Sequence, residues 1–256
     1  YLTQQLVALG VHVEWNTELI NVKNTDEGVD ASLKKVTGIE IFQCRYLCGC
    51  DGAHSMVRQQ LGIDFPGGTY DEKFYVADVD VVQKETKQGV NLCFDNNNFC
   101  VLMPVRQSGT HRLIGIMPPD GNSFDDVKTS SETHLNVKMR TVNWFSTYRV
   151  HHRVANSFRI KSAFLLGDAG HIHSPAGGQG MNTGIGDAVN LAWKLAAVLH
   201  KKASTKLLDS YEFERIKFAR KLVKTTDRLF QFMTGKSFFN QFCRRFLFFP
   251  LFSVVT

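Results

Sequence analysis

The stretch Phe164–His200, FLLGDAGHIHSPAGGQGMNTGIGDAVNLAWKLAAVLH, constrains this chain more than any other. The apolar run Ala163–Leu166 leading into it reads as a buried strand that stops at Gly167-Asp168. A loop with glycines at 170, 177, 178, 180, 184 and 186 follows, and a helix is expected from about Gly184. That helix is apolar nearly all round (Ile185, Val189, Leu191, Leu195, Val198), so burial on every side is expected; a surface helix shows one apolar stripe. A strand delivering an acid into a Gly-rich loop that ends on a helix N-terminus suits an electron-rich ligand. Backbone comes close where Cβ is absent, and unpaired N–H groups carry partial positive charge.

The chain has 256 residues, 43% hydrophobic and 21% charged, enough for one large domain or two interleaved ones. It begins at Tyr1 inside an apolar-periodic helix (Leu2, Leu6, Val7, Leu9), which reads as a fragment. No signal-peptide pattern and no apolar run of about 18 residues is present, so no membrane partner is expected. Cys44, Cys48, Cys50, Cys93, Cys100 and Cys243 contain no C-x-x-C pair. They are expected to be reduced, buried and structural, which fits a cytoplasmic protein. From Lys194 onward there are 13 Lys and Arg against 4 Asp and Glu. Such a basic helical region can face nucleic acid or acidic lipid; a solvated helix face is the commoner outcome, and no nucleic-acid partner is expected.

Val11–Trp15, Glu18–Val22, Val29–Leu33 and Ile39–Phe42 alternate as strands do. Arg45–Cys50 is a further strand running into Asp51-Gly52, then a short helix over Ser55–Leu61 closed by Gly62 and a loop at Pro66-Gly67-Gly68. Phe74–Val82, Val90–Phe94, Phe99–Val105 and Arg112–Met117 read as an antiparallel sheet, with turns at Asn96-Asn97-Asn98 and Ser108-Gly109. Pro118–Glu132 reads as loop, Asn143–Val150 as strand and Leu207–Met233 as helix, with Leu208, Tyr211, Phe218, Leu229 and Phe230 among its inward positions. The expected organisation is a ligand-binding domain in two parts, 1–64 and 151–235, a sheet domain at 65–150 inserted between them, and an aromatic, basic tail at 236–256 suited to an interface helix. The fold class is α/β with an α+β insert.

Several chemistries are excluded by the spacing. A Walker-type phosphate loop needs Gly-Lys-Ser/Thr, and Gly180 is followed by Met181-Asn182. No G-x-S-x-G elbow is present. His171-x-His173 has no carboxylate or thiol at ligand spacing, so no metal is expected.

The ordered set Gly167-Asp168, His171, Pro175, Gly177-Gly178-Gln179-Gly180-Met181-Asn182, Gly184, Asp187-Ala188, Asn190-Leu191 and Trp193-Lys194-Leu195 resembles a known motif. It is similar to the second flavin-binding motif of the class A FAD-dependent aromatic monooxygenases, on their phenol hydroxylase and polyketide hydroxylase side. Cys50–Arg58, CDGAHSMVR, resembles that family's D-G-x-x-S-x-x-R motif, and Trp144-Phe145-Ser146 with Arg153 resembles the strand leading to the second motif. The resemblance runs from Tyr1 to about Phe230. It implies the p-hydroxybenzoate hydroxylase fold: a Rossmann-like FAD-binding domain with an inserted antiparallel-sheet substrate domain. The family's opening βαβ with its G-x-G-x-x-G has no counterpart in these residues.

The resemblance implies FAD as cofactor, NADPH or NADH as co-substrate, and O2 and a phenol-like small molecule as partners; assembly into a homo-oligomer stays open. Gly167 and Asp168 would meet the ribityl chain. Gly177, Gly178, Gln179, Gly180, Met181 and Asn182 would lay backbone N–H groups along the flavin pyrimidine edge, where the helix N-terminus favours the anionic reduced ring. Pro175 would be the catalytic position, lining the face where oxygen adds as the C4a-hydroperoxide, which needs water kept out. Asp51, Gly52 and Arg58 would serve FAD and the nicotinamide cofactor. The structural alternatives are a turn cap for Asp168, and for Asp51 and Arg58 an ion pair between a loop carboxylate and a helix-surface arginine.

Two departures, Ser174 where the family often has Pro and Gly170 where Ala is usual, are expected to soften the loop. Phe74, Phe94, Phe99, Met103 and Met117 are candidate pocket residues with core packing as the default, and no general base for a phenol stands out. The implied reaction inserts one oxygen atom of O2 into an aromatic ring. The alternatives are a related flavin epoxidase or oxidase on a non-aromatic substrate, and a non-catalytic remnant of the fold. Residues 1–256 alone are expected to bind FAD weakly and to be inactive.

Overall fold

Local pattern decides the first elements. In the computed structural model, which describes residues 1–82, 89–94, 99–105, 109–174 and 178–234, the chain opens with helix α1 (Leu2–Ala8), none of whose residues is buried. Val11–Trp15 forms no strand despite its alternation. Its valines and Trp15 are exposed, and a turn at Trp15-Asn16 with Asn16 left-handed (φ 56°) interrupts it. Alternation yields a strand only where a neighbouring strand takes up its backbone groups. The next three runs form an antiparallel meander of β1 (Glu18–Asn24), β2 (Val29–Lys35) and β3 (Gly38–Cys44), in which β1 and β2 bury residues while β3, exposed nearly throughout, is held by its ladder to β2. A register shift between Leu19 and Asn21 interrupts the β1–β2 ladder. Val22, Val29 and Ala31 are its buried apolar residues, while β3 keeps Ile39, Ile41 and Phe42 exposed.

Strand β4 is only Leu47–Gly49, shorter than the Arg45–Cys50 pattern suggests, and is followed by α2 (Met56–Gln60). Strand β5 (Gly67–Val81) starts earlier than expected, absorbing the two glycines after Pro66. Then come β6 (Asn91–Phe94), β7 (Phe99–Pro104) and β8 (Thr110–Ile116). The expected loop after Pro118 instead contains a helix, α3 (Asp125–Leu135). Asp126 Oδ2 accepts from the Asn122 and Ser123 backbone N–H groups and from Ser123 Oγ, which ties the helix start to the turn before it. Val127 and Ser131, four apart, are its buried residues.

Strand β9 (Met139–Val154) is long; the short β10 (Arg159–Ile160), β11 (Ala163–Leu165) and β12 (His171–Ile172) follow. Helix α4 (Gly180–Leu199) begins four residues before the expected Gly184, and α5 (Asp209–Thr234) follows a 3-10 turn over Thr205–Leu208.

The chain divides into two units. The first holds 1–66, 153–172 and 179–221; the second holds 67–152, 173–178 and 222–256. In the first, β11 pairs parallel with β4 and antiparallel with β10, and Val154 at the end of β9 pairs with His171 of β12. Phe158, Phe164, Leu165, Leu191, Leu208 and Tyr211 form its centre. Each such side chain contributes about 1.5–3 kcal/mol on burial. In the second unit the sheet order is β9-β5-β8-β7-β6, with α3 packed through Val127 against Tyr75, Ala77 and Leu102 in one apolar cluster.

Three expectations need correction. Helix α4 is not buried all round: Leu191 is enclosed, but Ile185, Val189 and Trp193 form an exposed apolar stripe. Phe218 of α5 is also exposed. Cys48 and Cys50 are exposed free thiols, whereas Cys100 is buried. Burial of its neighbourhood still pushes the Cys48 thiol up to about 11. Leu229 and Phe94 (as side chains), Asn96-Asn97-Asn98, Ser108, Cys243 and the 236–256 tail lie outside what is described.

Candidate functional site

The site grows from the C-terminal ends of two parallel strands. In such sheets, loops leaving the strand ends form the ligand crevice. Strand β4 delivers Asp51-Gly52 and β11 delivers Gly167-Asp168, both within the first unit.

After β4, Asp51 and Arg58 hold the turn together. Asp51 Oδ1 accepts from Ser55 Oγ at 2.5 Å and its Oδ2 from the Val57 N–H at 3.0 Å. Ser55 caps α2 by accepting from the Arg58 N–H at 3.0 Å. Arg58 is buried rather than on the helix surface. Its guanidinium donates to the carbonyls of Ala169 (2.9 Å) and Ala53 (2.8 Å) and lies 3.9 Å over the Phe65 ring. These contacts replace the ion pair considered for the two residues. Burial holds the Arg58 guanidinium below its ordinary value despite the Asp51 charge. Gly52 takes φ 77°, with nothing within 4 Å of where a Cβ would stand.

After β11 the chain makes a 3-10 turn over Gly167–Ala169. Gly167 takes φ 57°, and a Cβ there would lie 3.6 Å from the Gly184 Cα. Asp168, at the crest of the turn, is exposed, and its carboxylate has no hydrogen-bond partner among the described residues. A turn cap would show such a bond. Gly170 makes room for Phe158, whose Cε1 would lie 3.3 Å from an added Cβ. Ser174 is fully buried and donates from Oγ to the Thr226 carbonyl at 3.2 Å. Neither departure from the family pattern leaves a gap: one glycine is filled by an aromatic ring and the serine is anchored.

The chain re-enters the described residues at Gly178 (φ 63°) and starts α4 with Gln179 as N-cap, without a side-chain capping bond. Thr183 closes the first turn through N–H and Oγ1, both donating to the Gln179 carbonyl (2.9 and 2.7 Å). Gly180, Met181 and Asn182 are exposed around that helix start. Pro175 and Gly177 lie outside the described residues.

Two charged groups sit inside the apolar helix. Asp187 and Lys194, seven apart on one face of α4, are both buried. Asp187 bonds to the Gly167 N–H, His171 and Arg215; Lys194 Nζ donates to Glu214 Oε2 at 2.8 Å, as does Asn190 Nδ2 at 2.8 Å. Burial would raise the Asp187 carboxyl, but its hydrogen bonds to His171, Gly167 and Arg215 outweigh that and hold it below the carboxylate range. Hydrogen bonds from Lys194 and Asn190 hold Glu214 low as well. The sequence reading gave these residues no role. Their signal was present: two charges at i and i+7 in an otherwise apolar helix need buried partners.

The arrangement suits a polyhydroxylated, electron-rich ligand. A carboxylate without a partner accepts from hydroxyls, and an uncapped helix start offers N–H donors. The FAD binding domain family matches residues 1–226. The chain belongs to that family. It is 33% identical over 232 residues to 6-methylpretetramide 4-monooxygenase from Streptomyces rimosus, covering 88% of this chain and 42% of that protein. It is 34% identical over 223 residues to dialkyldecalin synthase from Streptomyces rugosporus, covering 84% of this chain and 47% of that one. Among solved structures, p-nitrophenol 4-monooxygenase from Pseudomonas putida aligns with a TM-score of 0.82 at 28% identity, over 91% of this chain and 62% of that one. The chain spans about half the length of the curated relatives it matches. Among the described residues no helix is long and apolar enough to cross a membrane.

In the second unit, Phe74 is packed with Tyr70, Val150 and Phe230, and Met117 lies in the cluster with Tyr75. Both are core residues there. A cavity of about 20 Å³ lined by Tyr75, Cys100, Val127 and Ser131 has room for about one water.

Proposed function

We propose that this chain serves an FAD-dependent, NAD(P)H-consuming monooxygenase that inserts one oxygen atom of O2 into a phenol-like aromatic substrate. In balance, substrate C–H, O2, NAD(P)H and a proton give substrate C–OH, NAD(P)+ and water. The observation that carries the reading is the exposed Asp168 carboxylate, without a partner among the described residues, on a glycine turn touching α4, in a chain matched by the FAD binding domain family over 1–226.

FAD, when bound, supplies the redox chemistry and the activation of oxygen. The residues of this chain bind and orient it. Asp168 accepts from a ribityl hydroxyl, and the N–H groups at Gly180–Asn182 favour negative charge on the pyrimidine edge. Asp51, Gly52 and Arg58 hold the neighbouring turn in place. Pro175 keeps water from the oxygen-reacting face, and NADPH or NADH supplies the reducing equivalents. The full-length protein with FAD should oxidise NADPH or NADH in an oxygen-dependent way when offered a panel of phenols. No such oxidation with any of them would reject the reading.

A second reading has its own support: a relative 34% identical is named a synthase rather than a monooxygenase. In this reading the same fold holds FAD for a different reaction, on a non-aromatic substrate. Labelled O2 separates the two, since ring hydroxylation alone places one labelled atom on an aromatic product.

A further inference from the structure

Asp187 bonds to the backbone of Gly167 and so holds the segment that carries Asp168. Its carboxylate is fully buried about two turns into α4. Oδ2 accepts from the Gly167 N–H at 2.9 Å and from His171 Nε2 at 2.7 Å, and Oδ1 accepts from Arg215 Nε on α5 at 2.6 Å. Gly167 and His171 flank Asp168. One carboxylate oxygen therefore pins both ends of the arc whose crest carries the exposed acid.

The surroundings fit this clamp. A carboxylate only accepts, so His171 donates from Nε2. The His171 ring stacks on Phe158 at 5.7 Å and 24°, which fixes its plane. Gly186 lets Arg215 approach: a Cβ there would lie 3.3 Å from Arg215 Nη2. A buried carboxylate persists only with partners of this quality, and Asp187 has three donors, while Asp168, close by in sequence to two of them, keeps its own carboxylate open.

We propose that Asp187, acting through His171 and Arg215, is a positioning residue for FAD. It sets the 167–171 arc against α4, so that the Asp168 carboxylate and the N-terminal turn of that helix engage one FAD molecule together. The proposal rests on the FAD reading of this site.

The test is FAD titration into the full-length apoprotein, followed by flavin fluorescence, with thermal midpoints measured alongside. Asp187→Asn leaves Arg215 without its charge partner and puts folding itself at stake, so the arc is loosened through His171 instead. His171→Leu removes the donor; His171→Gln places an amide N–H near the Nε2 position. His171→Leu is expected to weaken FAD binding about tenfold, and His171→Gln to return it to within about threefold of wild type. In the Asp168→Ala background, His171→Leu should add less than about threefold, because the positioned group is gone.

The proposal is overturned by His171→Leu binding FAD as tightly as wild type, by His171→Gln failing to rescue, or by the two losses multiplying in full. A loss of affinity that merely follows the thermal midpoint would do the same. If Asp168→Ala leaves FAD affinity unchanged, or the wild-type protein binds no FAD, the reading of the site fails instead.

Discussion

Gly167 and Gly184 meet backbone to backbone: a Cβ on Gly184 would stand 3.4 Å from the Gly167 Cα. This contact brings the Asp168 turn against the first turns of α4, and it sets the tolerance of both positions. At 3.4 Å a methyl group is in ordinary contact, and Ala is a better helix former than Gly by about 1 kcal/mol. Gly184→Ala should therefore keep the thermal midpoint within a few degrees of wild type. Gly184→Leu has no such room and should lower both the midpoint and FAD affinity.

Gly167 differs because of its backbone. At φ 57° a Cβ carries a strain of about 1–2 kcal/mol. Gly167→Ala should lower the thermal midpoint by about 2–6 °C on that account. Differential scanning calorimetry of the two alanine variants would separate strain at 167 from contact at 184.

Tyr211 ties α5 to the strand that delivers the turn, donating from its buried hydroxyl to the Leu165 carbonyl at 2.7 Å. Burial raises the phenol well above its ordinary value, so it remains a donor at any pH the fold tolerates. Tyr211→Phe leaves that carbonyl unsatisfied and should cost about 1–3 kcal/mol in urea unfolding.

How much of this was legible in the sequence depends on what each residue answers to. Gly167, Asp168 and the helix after them could be read because turn geometry and a helix start are local. The Ser55 cap and Gly62 stop of α2 were legible for the same reason. The strand expected at Val11–Trp15 failed because alternation says nothing about whether a partner exists. Helix α3 was missed because its polar surface hid the bonds from Asp126 back to the preceding turn and the single Val127–Ser131 face. The roles of Ser174 and Gly170 depend on Thr226 and Phe158, contacts that only the tertiary structure brings together. Arg215 was invisible as the partner of Asp187 because 28 residues separate them.

Acid should weaken the fold through Asp187 and Glu214. Both carboxyls lie below their ordinary values of 3.8 and 4.5 in the folded chain. A depressed folded value means the unfolded chain binds protons first, so their stabilisation is complete above those ordinary values and falls as pH drops through and below them. Urea midpoints should hold steady from neutrality to about pH 5 as far as these two groups are concerned, then decline. Lys194→Met, which takes the main partner from Glu214, should flatten part of that decline.

The central claim, that Asp168 is an FAD contact and not a structural residue, is tested most directly by the FAD dissociation constant of Asp168→Ala in the full-length protein. The carboxylate is exposed with no partner among the described residues, so the apoprotein thermal midpoint should stay within about 1 °C of wild type. FAD affinity should fall about 10- to 100-fold, the loss of one charge-assisted hydrogen bond. An unchanged dissociation constant, or a loss of affinity that tracks a falling midpoint, would contradict the account.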